Sequence, residues 1–213
     1  MIIYITQKSY YMVLKYFINF FINKNVQVLY VEETKIIYRK KILEIYQNFG
    51  FLNFVNLIFL EFFYFLFLRS EANKINHLNI KDVDLDSYIK RILQKKNIEK
   101  IISIGCPCKI DINLSNKYDT KFINLHGGII PYQKGKFSPI QSMKNKHKFI
   151  GSSLHYMSEY FDSGDLISQN YFKVISDNKF KNYNKVIFKS SVLLGDYLNN
   201  KTYSIPNSIK KQL

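Results

Sequence analysis

The chain has 213 residues, which is enough for one α/β domain with a sizeable core and too few for two. With 47% hydrophobic residues, 22% charged residues, 4 Pro and 8 Gly, it is neither a disordered tail nor a collagen-like or Pro-rich chain, and 2 Cys exclude a disulfide framework or an all-cysteine zinc site. The net charge is 31 − 16 = +15, compatible with nucleic acid, a membrane surface or a phosphorylated small substrate. The cations are scattered (Arg39, Lys40, Lys41; Lys95, Lys96; Lys210, Lys211) rather than blocked, so no specific nucleic-acid footprint is read.

In chain order, residues 2–6 form a short β-branched run, a first strand, and 8–22 carry apolar residues at helical spacing. Residues 26–31 are a second strand. Helices are expected over 39–47 and over a long apolar stretch at about 49–68, broken near Asn48 and Gly50. That stretch is long enough for a bilayer span, yet Gly50, Asn53, Asn56, Glu61 and Tyr64 fall within about 140° of one another on a helical wheel. Such sorting suits a helix packed in a core or a dimer interface, or one lying in a membrane interface, better than a lipid-exposed span. Glu61 near its middle argues the same way. The first residues, Met1 to Thr6, have no basic region or small-residue cleavage site, so no secretory signal is expected.

Further strands are expected at 78–83, 100–104, 122–125, 150–157 and 166–174, and helices from Asp86 to about Lys96, over 137–145 and over 185–198. Alternating strands and helices imply an open Rossmann-like, mostly parallel α/β sheet with helices on both faces, forming a single domain over 1–213 with a short helical C-terminal tail. Ligands of such a sheet sit at the carboxyl ends of its strands.

Two segments carry chemistry. Asn124 and His126, two apart at the end of a strand, point to one side, and Gly127–Gly128 lets the backbone turn sharply behind them. Asp162 follows 36 residues after His126 (162 − 126) in the loop FDSGDL. An amide, an imidazole and a carboxylate meeting at one sheet edge suit acyl transfer: the amide stabilises an oxyanion, and the imidazole and carboxylate move a proton. By spacing alone, Asn and His after a strand are equally ordinary turn and cap residues, and Asp is common in turns.

The stretches INLHGGIIPYQKGKFSPIQ and IGSSLHYMSEYFDSGDLISQ, in that order and at that interval, resemble the 10-formyltetrahydrofolate-dependent formyltransferase family over residues 122 to about 172. The resemblance implies the family's fold, with Asn124, His126 and Asp162 as catalytic residues and 10-formyltetrahydrofolate as co-substrate, without a metal. It implies a pterin pocket made by Cys106, Pro107 and Cys108 and by Ser158, Glu159, Tyr160 and Phe161, and substrate contacts from Gly127, Tyr132, Lys134 and Lys136. The family's Tyr-Arg-Gly is Gln133-Lys134-Gly135 here, so a forked guanidinium becomes a point charge. His155, in a strand, is read as structural, and His77 and His147 as surface residues.

Among family acceptors, the tRNA enzymes carry an additional C-terminal barrel, whereas here 213 − 172 = 41 residues follow the second motif. Glycinamide ribonucleotide enzymes have a Gly-rich loop after the first strand, whereas Thr6-Gln7-Lys8-Ser9-Tyr10 has no glycine. The resemblance therefore implies a nucleoside-diphosphate-linked amino sugar, dTDP- or UDP-linked, used in surface polysaccharide of the O-antigen type. A cytoplasmic homodimer is expected, with membrane contact possible through the apolar helix. The alternatives are another small amine such as glycinamide ribonucleotide, or a non-catalytic folate-binding relative.

Overall fold

The computed structural model describes residues 1–7, 11–32, 35–106, 108–175 and 177–213. Seven strands form one sheet in the order β3-β2-β1-β4-β5-β6-β7. They are β1 (Ile2–Gln7), β2 (Val26–Glu32), β3 (His77–Lys81), β4 (Lys100–Ile104), β5 (Lys121–His126), β6 (Phe149–Tyr156) and β7 (Leu166–Lys173). β1 runs parallel to both β2 and β4, and β2 parallel to β3, whereas β6 and β7 are antiparallel with an irregularity between Leu154 and His155. The expected mostly parallel α/β sheet is what the chain forms. The chain packs as two compact units, Met1–Lys41 with Leu60–Asn124, and Ile42–Phe59 with Leu125–Leu213.

In the first unit, β1 is buried along Ile3, Tyr4 and Ile5. A strand paired in parallel on both edges and covered on both faces needs such an unbroken apolar run. Helix α1 (Tyr11–Phe21) buries Leu14, Phe17 and Phe21, spaced for one face, and the Phe21 ring lies 5.2 Å from that of Tyr4. The start expected at 8–10 lies outside the described residues. Helix α4 (Leu85–Lys95) buries Leu85, Ile89, Ile92 and Leu93 by the same periodicity. The third strand is shorter than expected, because Asp82–Asp84 turn into a 3-10 helix that feeds α4. A short helix α5 (Asn113–Tyr118), not expected from periodicity, ends at Asp119 in the left-handed region.

In the second unit, α6 (Ser138–Lys144) follows the turn at Gly135, and α7 (Lys179–Leu198) buries Val186, Ile187, Leu193 and Leu194. Val186 joins Ile150 and Phe172 in one apolar cluster. α7 starts six residues before the expected Lys185, because Asn178 caps it: its side-chain oxygen accepts the Lys181 N–H at 2.9 Å. Helix α8 (Asn207–Lys210) closes the chain.

Between β2 and β3 the chain forms α2 (Lys35–Phe49) and α3 (Phe51–Ala72), separated at Gly50, whose φ of 77° is readily adopted only by glycine. Phe49 is buried edge-on between Phe137 and Tyr183. α3 differs from the core helix considered above: it leaves Phe51, Leu52, Phe59, Phe62 and Phe67 exposed. No single helix among the described residues is long and apolar enough to cross a membrane.

Candidate active site

β5 is buried at Phe122, Ile123, Leu125 and His126, with Asn124 half-buried between them. The chain then folds back through Gly127 and Gly128. The two glycines differ. A Cβ on Gly127 would make an ordinary contact with Val186, at 3.5 Å. A Cβ on Gly128 would stand 2.6 Å from His126 Nε2 and collide with the Gln133 carbonyl and Ser138 Oγ. The close return of the backbone onto the imidazole thus requires glycine at 128.

The His126 ring bridges two partners. Nε2 lies 2.7 Å from the Gln133 carbonyl oxygen. A carbonyl only accepts, so Nε2 carries a proton and donates it. Nδ1 faces Asp162 Oδ1 at 3.2 Å. A hydrogen bond across that gap takes a second proton, held by either the imidazole or the carboxyl group. Asp162 is buried in the loop between β6 and β7 with φ 51°, a left-handed conformation that Asp tolerates better than most residues. Its other oxygen, Oδ2, accepts the Gly135 N–H at 2.8 Å.

A second imidazole faces the same carboxylate. His155 is buried, and its Nε2 stands 3.8 Å from Asp162 Oδ1. Its Nδ1 lies 2.7 Å from the Tyr156 carbonyl oxygen, to which it donates. Burial holds the His155 imidazole below its ordinary value. The Tyr156 carbonyl and Asp162 oppose that shift, while His126 and Lys134 reinforce it. His155 was expected to be purely structural, but its placement makes it part of the electrostatic surroundings of Asp162. The histidine-in-strand pattern alone held no signal for this. Of the remaining histidines, His77 is exposed, whereas His147 is half-buried against the Gln133 amide.

The loop between His126 and Gly135 is held by side chains that motif reading passed over. Gln133 is buried; its Oε1 accepts the Ile129 N–H at 3.2 Å, and its Nε2 donates to the Phe149 carbonyl at 2.8 Å. Ser153 Oγ donates to the Gly128 carbonyl at 2.7 Å and accepts the Ile130 N–H at 3.0 Å. Gln169 Nε2 donates to the Ile130 carbonyl at 2.7 Å and to Ser153 Oγ at 2.8 Å. Ser138 Oγ donates to the Gly127 carbonyl at 2.7 Å. Their common signal is polarity inside strands or turns that bury everything around them.

The other expected site residues divide by location. Tyr132, Lys134 and Lys136 are exposed on the same loop, and Gly127 is half-buried. Ser158 is half-buried, while Glu159, Tyr160 and Phe161 are exposed beside Asp162. Ser158 Oγ and Ser163 Oγ both donate to the Tyr160 carbonyl, at 2.9 and 2.8 Å. Cys106 and Cys108 belong to the first unit, half-buried, with sulfurs 3.5 Å apart. Donation from Cys106 to Cys108 raises the Cys106 thiol well above its ordinary value and lowers that of Cys108. Pro107 lies outside the described residues. Among the described residues no group of three or more His, Cys, Asp or Glu is placed to hold a metal ion.

Residues 72–192, more than half of the chain, match the formyl transferase family. The chain belongs to the formyl transferase family. The match begins well before residue 122, where the resemblance of the two motifs starts, and it takes in both motifs. The domain is that of an N-formyltransferase, an enzyme class that uses formyl-tetrahydrofolate generally. Of solved structures, a 4-N formyltransferase from Francisella tularensis is 26% identical, with a TM-score of 0.60 over 98% of this chain and 74% of its own. A phosphoribosylglycinamide formyltransferase from Anaplasma phagocytophilum shares the fold at 16% identity, with a TM-score of 0.61 over 90% of this chain and 81% of its own. The human trifunctional purine biosynthetic protein adenosine-3 is 27% identical over 96 residues; these are 45% of this chain and only 10% of that protein's length.

Proposed function

We propose that this protein transfers a formyl group from 10-formyltetrahydrofolate to the amino group of a nucleoside-diphosphate-linked deoxyamino sugar. The observation that carries the transfer is the buried His126–Asp162 pair at the end of β5, with Gly135 N–H on the second carboxylate oxygen. The amino-sugar acceptor is supported by the 26% identity, over nearly the whole chain, to a 4-N formyltransferase, and by the absence of glycine from Thr6-Gln7-Lys8-Ser9-Tyr10, of which 8–10 lie outside the described residues. The product fits a precursor of surface polysaccharide, made in the cytoplasm.

The residues present fit a pterin co-substrate. Tyr160 and Phe161 leave two rings exposed for stacking beside Asp162, on a turn already set by Ser158 and Ser163. When bound, the folate supplies the formyl carbon. The Asn124 amide is the donor to the oxygen of that formyl group, where negative charge grows as the amine attacks; one such donor contributes roughly 3 kcal/mol. His126, oriented by the Gln133 carbonyl, holds its other nitrogen toward Asp162, so a proton passes between imidazole and carboxylate without either group moving. Asp162 would take the proton shed by the attacking nitrogen, directly or through one water, and that proton would go to N10 as the bond between N10 and the formyl carbon breaks and tetrahydrofolate leaves. Proton transfer by a positioned group accounts for roughly 10² to 10⁴ in rate. Lys134 and Lys136, exposed on the same loop, match the charge of a pyrophosphate.

The test is a formyl-transfer assay with 10-formyltetrahydrofolate and a panel of dTDP- and UDP-linked amino sugars, with glycinamide ribonucleotide alongside. Formylation of an amino sugar, lost in Asn124→Ala, is the expected result. Formylation of glycinamide ribonucleotide alone would overturn the acceptor, and folate binding without turnover on any amine would overturn the enzymatic reading.

A further inference from the structure

α3 carries its polarity the wrong way round. Asn53 and Glu61 lie on its half-sheltered side with Phe54, Leu57 and Leu60. Phe51, Leu52, Val55, Phe59, Phe62 and Phe67 are between 46% and 76% exposed. At about 100° per residue the first five of these positions occupy the arc opposite Asn53 and Glu61. Asn53 and Glu61 thus lie on the half-sheltered side, Asn56 is exposed, and the large apolar side chains of the opposite arc face water. A contiguous exposed apolar surface of this kind marks an interaction face.

The corner from which α3 departs is cationic. Lys144 Nζ donates to Asn48 Oδ1 at 3.0 Å and Lys179 Nζ to the Asn48 carbonyl at 3.1 Å. Arg69 is exposed near the far end of the helix. We propose that this face docks on the surface of an anionic lipid bilayer, with the Phe- and Leu-rich arc in the headgroup boundary and the ammonium groups against lipid phosphates. Charge selects this occupant over a second copy: a twofold contact would set +15 against +15 and bring the same lysine corner on both sides, whereas an anionic bilayer supplies hydrocarbon and negative charge together. Docking differs from spanning. Phe51–Phe63 and Leu66–Ala72 have the composition of a broken span, but they bend by 46° and keep Glu61 on the sheltered side. This inference is independent of which amine is formylated.

The experiment is co-sedimentation of the full chain with vesicles of phosphatidylcholine alone or mixed with phosphatidylglycerol, followed by a carbonate wash. The charge-neutral variants Phe59→Asn with Phe62→Asn and, separately, Leu52→Gln test the apolar arc. All three positions are exposed, so circular dichroism and thermal melting should match the parent chain. Binding to the phosphatidylglycerol vesicles, weakened about tenfold or more by either variant and removed by carbonate, is the expected result. Binding that the variants leave unchanged is adsorption of a cationic chain and overturns the proposal. So does a lack of vesicle binding in a chain that light scattering shows as a dimer and that these variants dissociate. Carbonate-resistant binding overturns it in favour of insertion.

Discussion

Two loops leave the carboxyl ends of β4 and β5, and they are built in opposite ways. After β4, Gly105 turns with φ 63° in open space, and Cys106 and Cys108 follow, half-exposed. After β5, Gly128, Ile129 and Ile130 are buried, and their backbone groups are tied down by Ser153, Gln133 and Gln169. The difference teaches where precision is needed. The proposed proton exchange between His126 and Asp162 depends on tenths of an ångström, and the loop around it is braced by buried hydrogen bonds. The β4 loop around Gly105 has a more open build.

The comparison is broken most directly at Asp162. Asp162→Asn keeps the size, the left-handed backbone and the bond from Gly135, and removes the negative charge beside His126. Formyl-transfer turnover should fall by about 10² to 10⁴, with the melting temperature nearly unchanged. Next in size is Gly128→Ala. Its methyl group cannot enter without displacing the Gln133 carbonyl or the imidazole, so denaturant titration should show a loss of about 1 to 3 kcal/mol together with loss of activity. Gly127→Ala, one residue away, should leave both almost unaltered.

The braces come third. Gln133→Leu strands the Ile129 N–H and the Phe149 carbonyl, and Ser153→Ala strands the Ile130 N–H; each should cost about 1 to 3 kcal/mol. A smaller effect is carried by His155. Burial lowers its native value relative to the ordinary 6.5 of an unfolded chain, so unfolding binds a proton between the two values. The stability gained by keeping His155 neutral is fully present above about 6.5 and is lost as pH falls through the lower native value. Melting temperature measured against pH should show that acid limb, and His155→Gln should flatten it. The smallest effect belongs to the β4 loop: Cys106→Ser should change stability by no more than about 0.5 kcal/mol, the scale of a substitution away from a packed core.

How much of this was legible follows from the range of the forces involved. β1, β2 and β4 were readable because runs rich in β-branched residues have few other fates, and α1 and α4 because their apolar spacing is local. The start of α7 was missed because Asn178 caps a first turn with little apolar signal. Gln133 and Ser153 were invisible as braces, since their partners lie 16 and 25 residues away. α3 shows the limit most plainly. Its wheel put Asn53 and Glu61 on one side, where both are half-buried, but a wheel has no inside or outside, and Asn56 on the same arc is exposed.

The amino-acid order by itself determined the strands, the turn glycines and the two motifs, because these depend on backbone sterics and on neighbours a few residues apart. Only the tertiary structure decided that His126 faces Asp162, that His155 stands behind the same carboxylate, and that the apolar arc of α3 looks outward. Each of these depends on which surfaces meet when distant segments pack, and that choice belongs to the whole fold's balance of burial and hydrogen bonding.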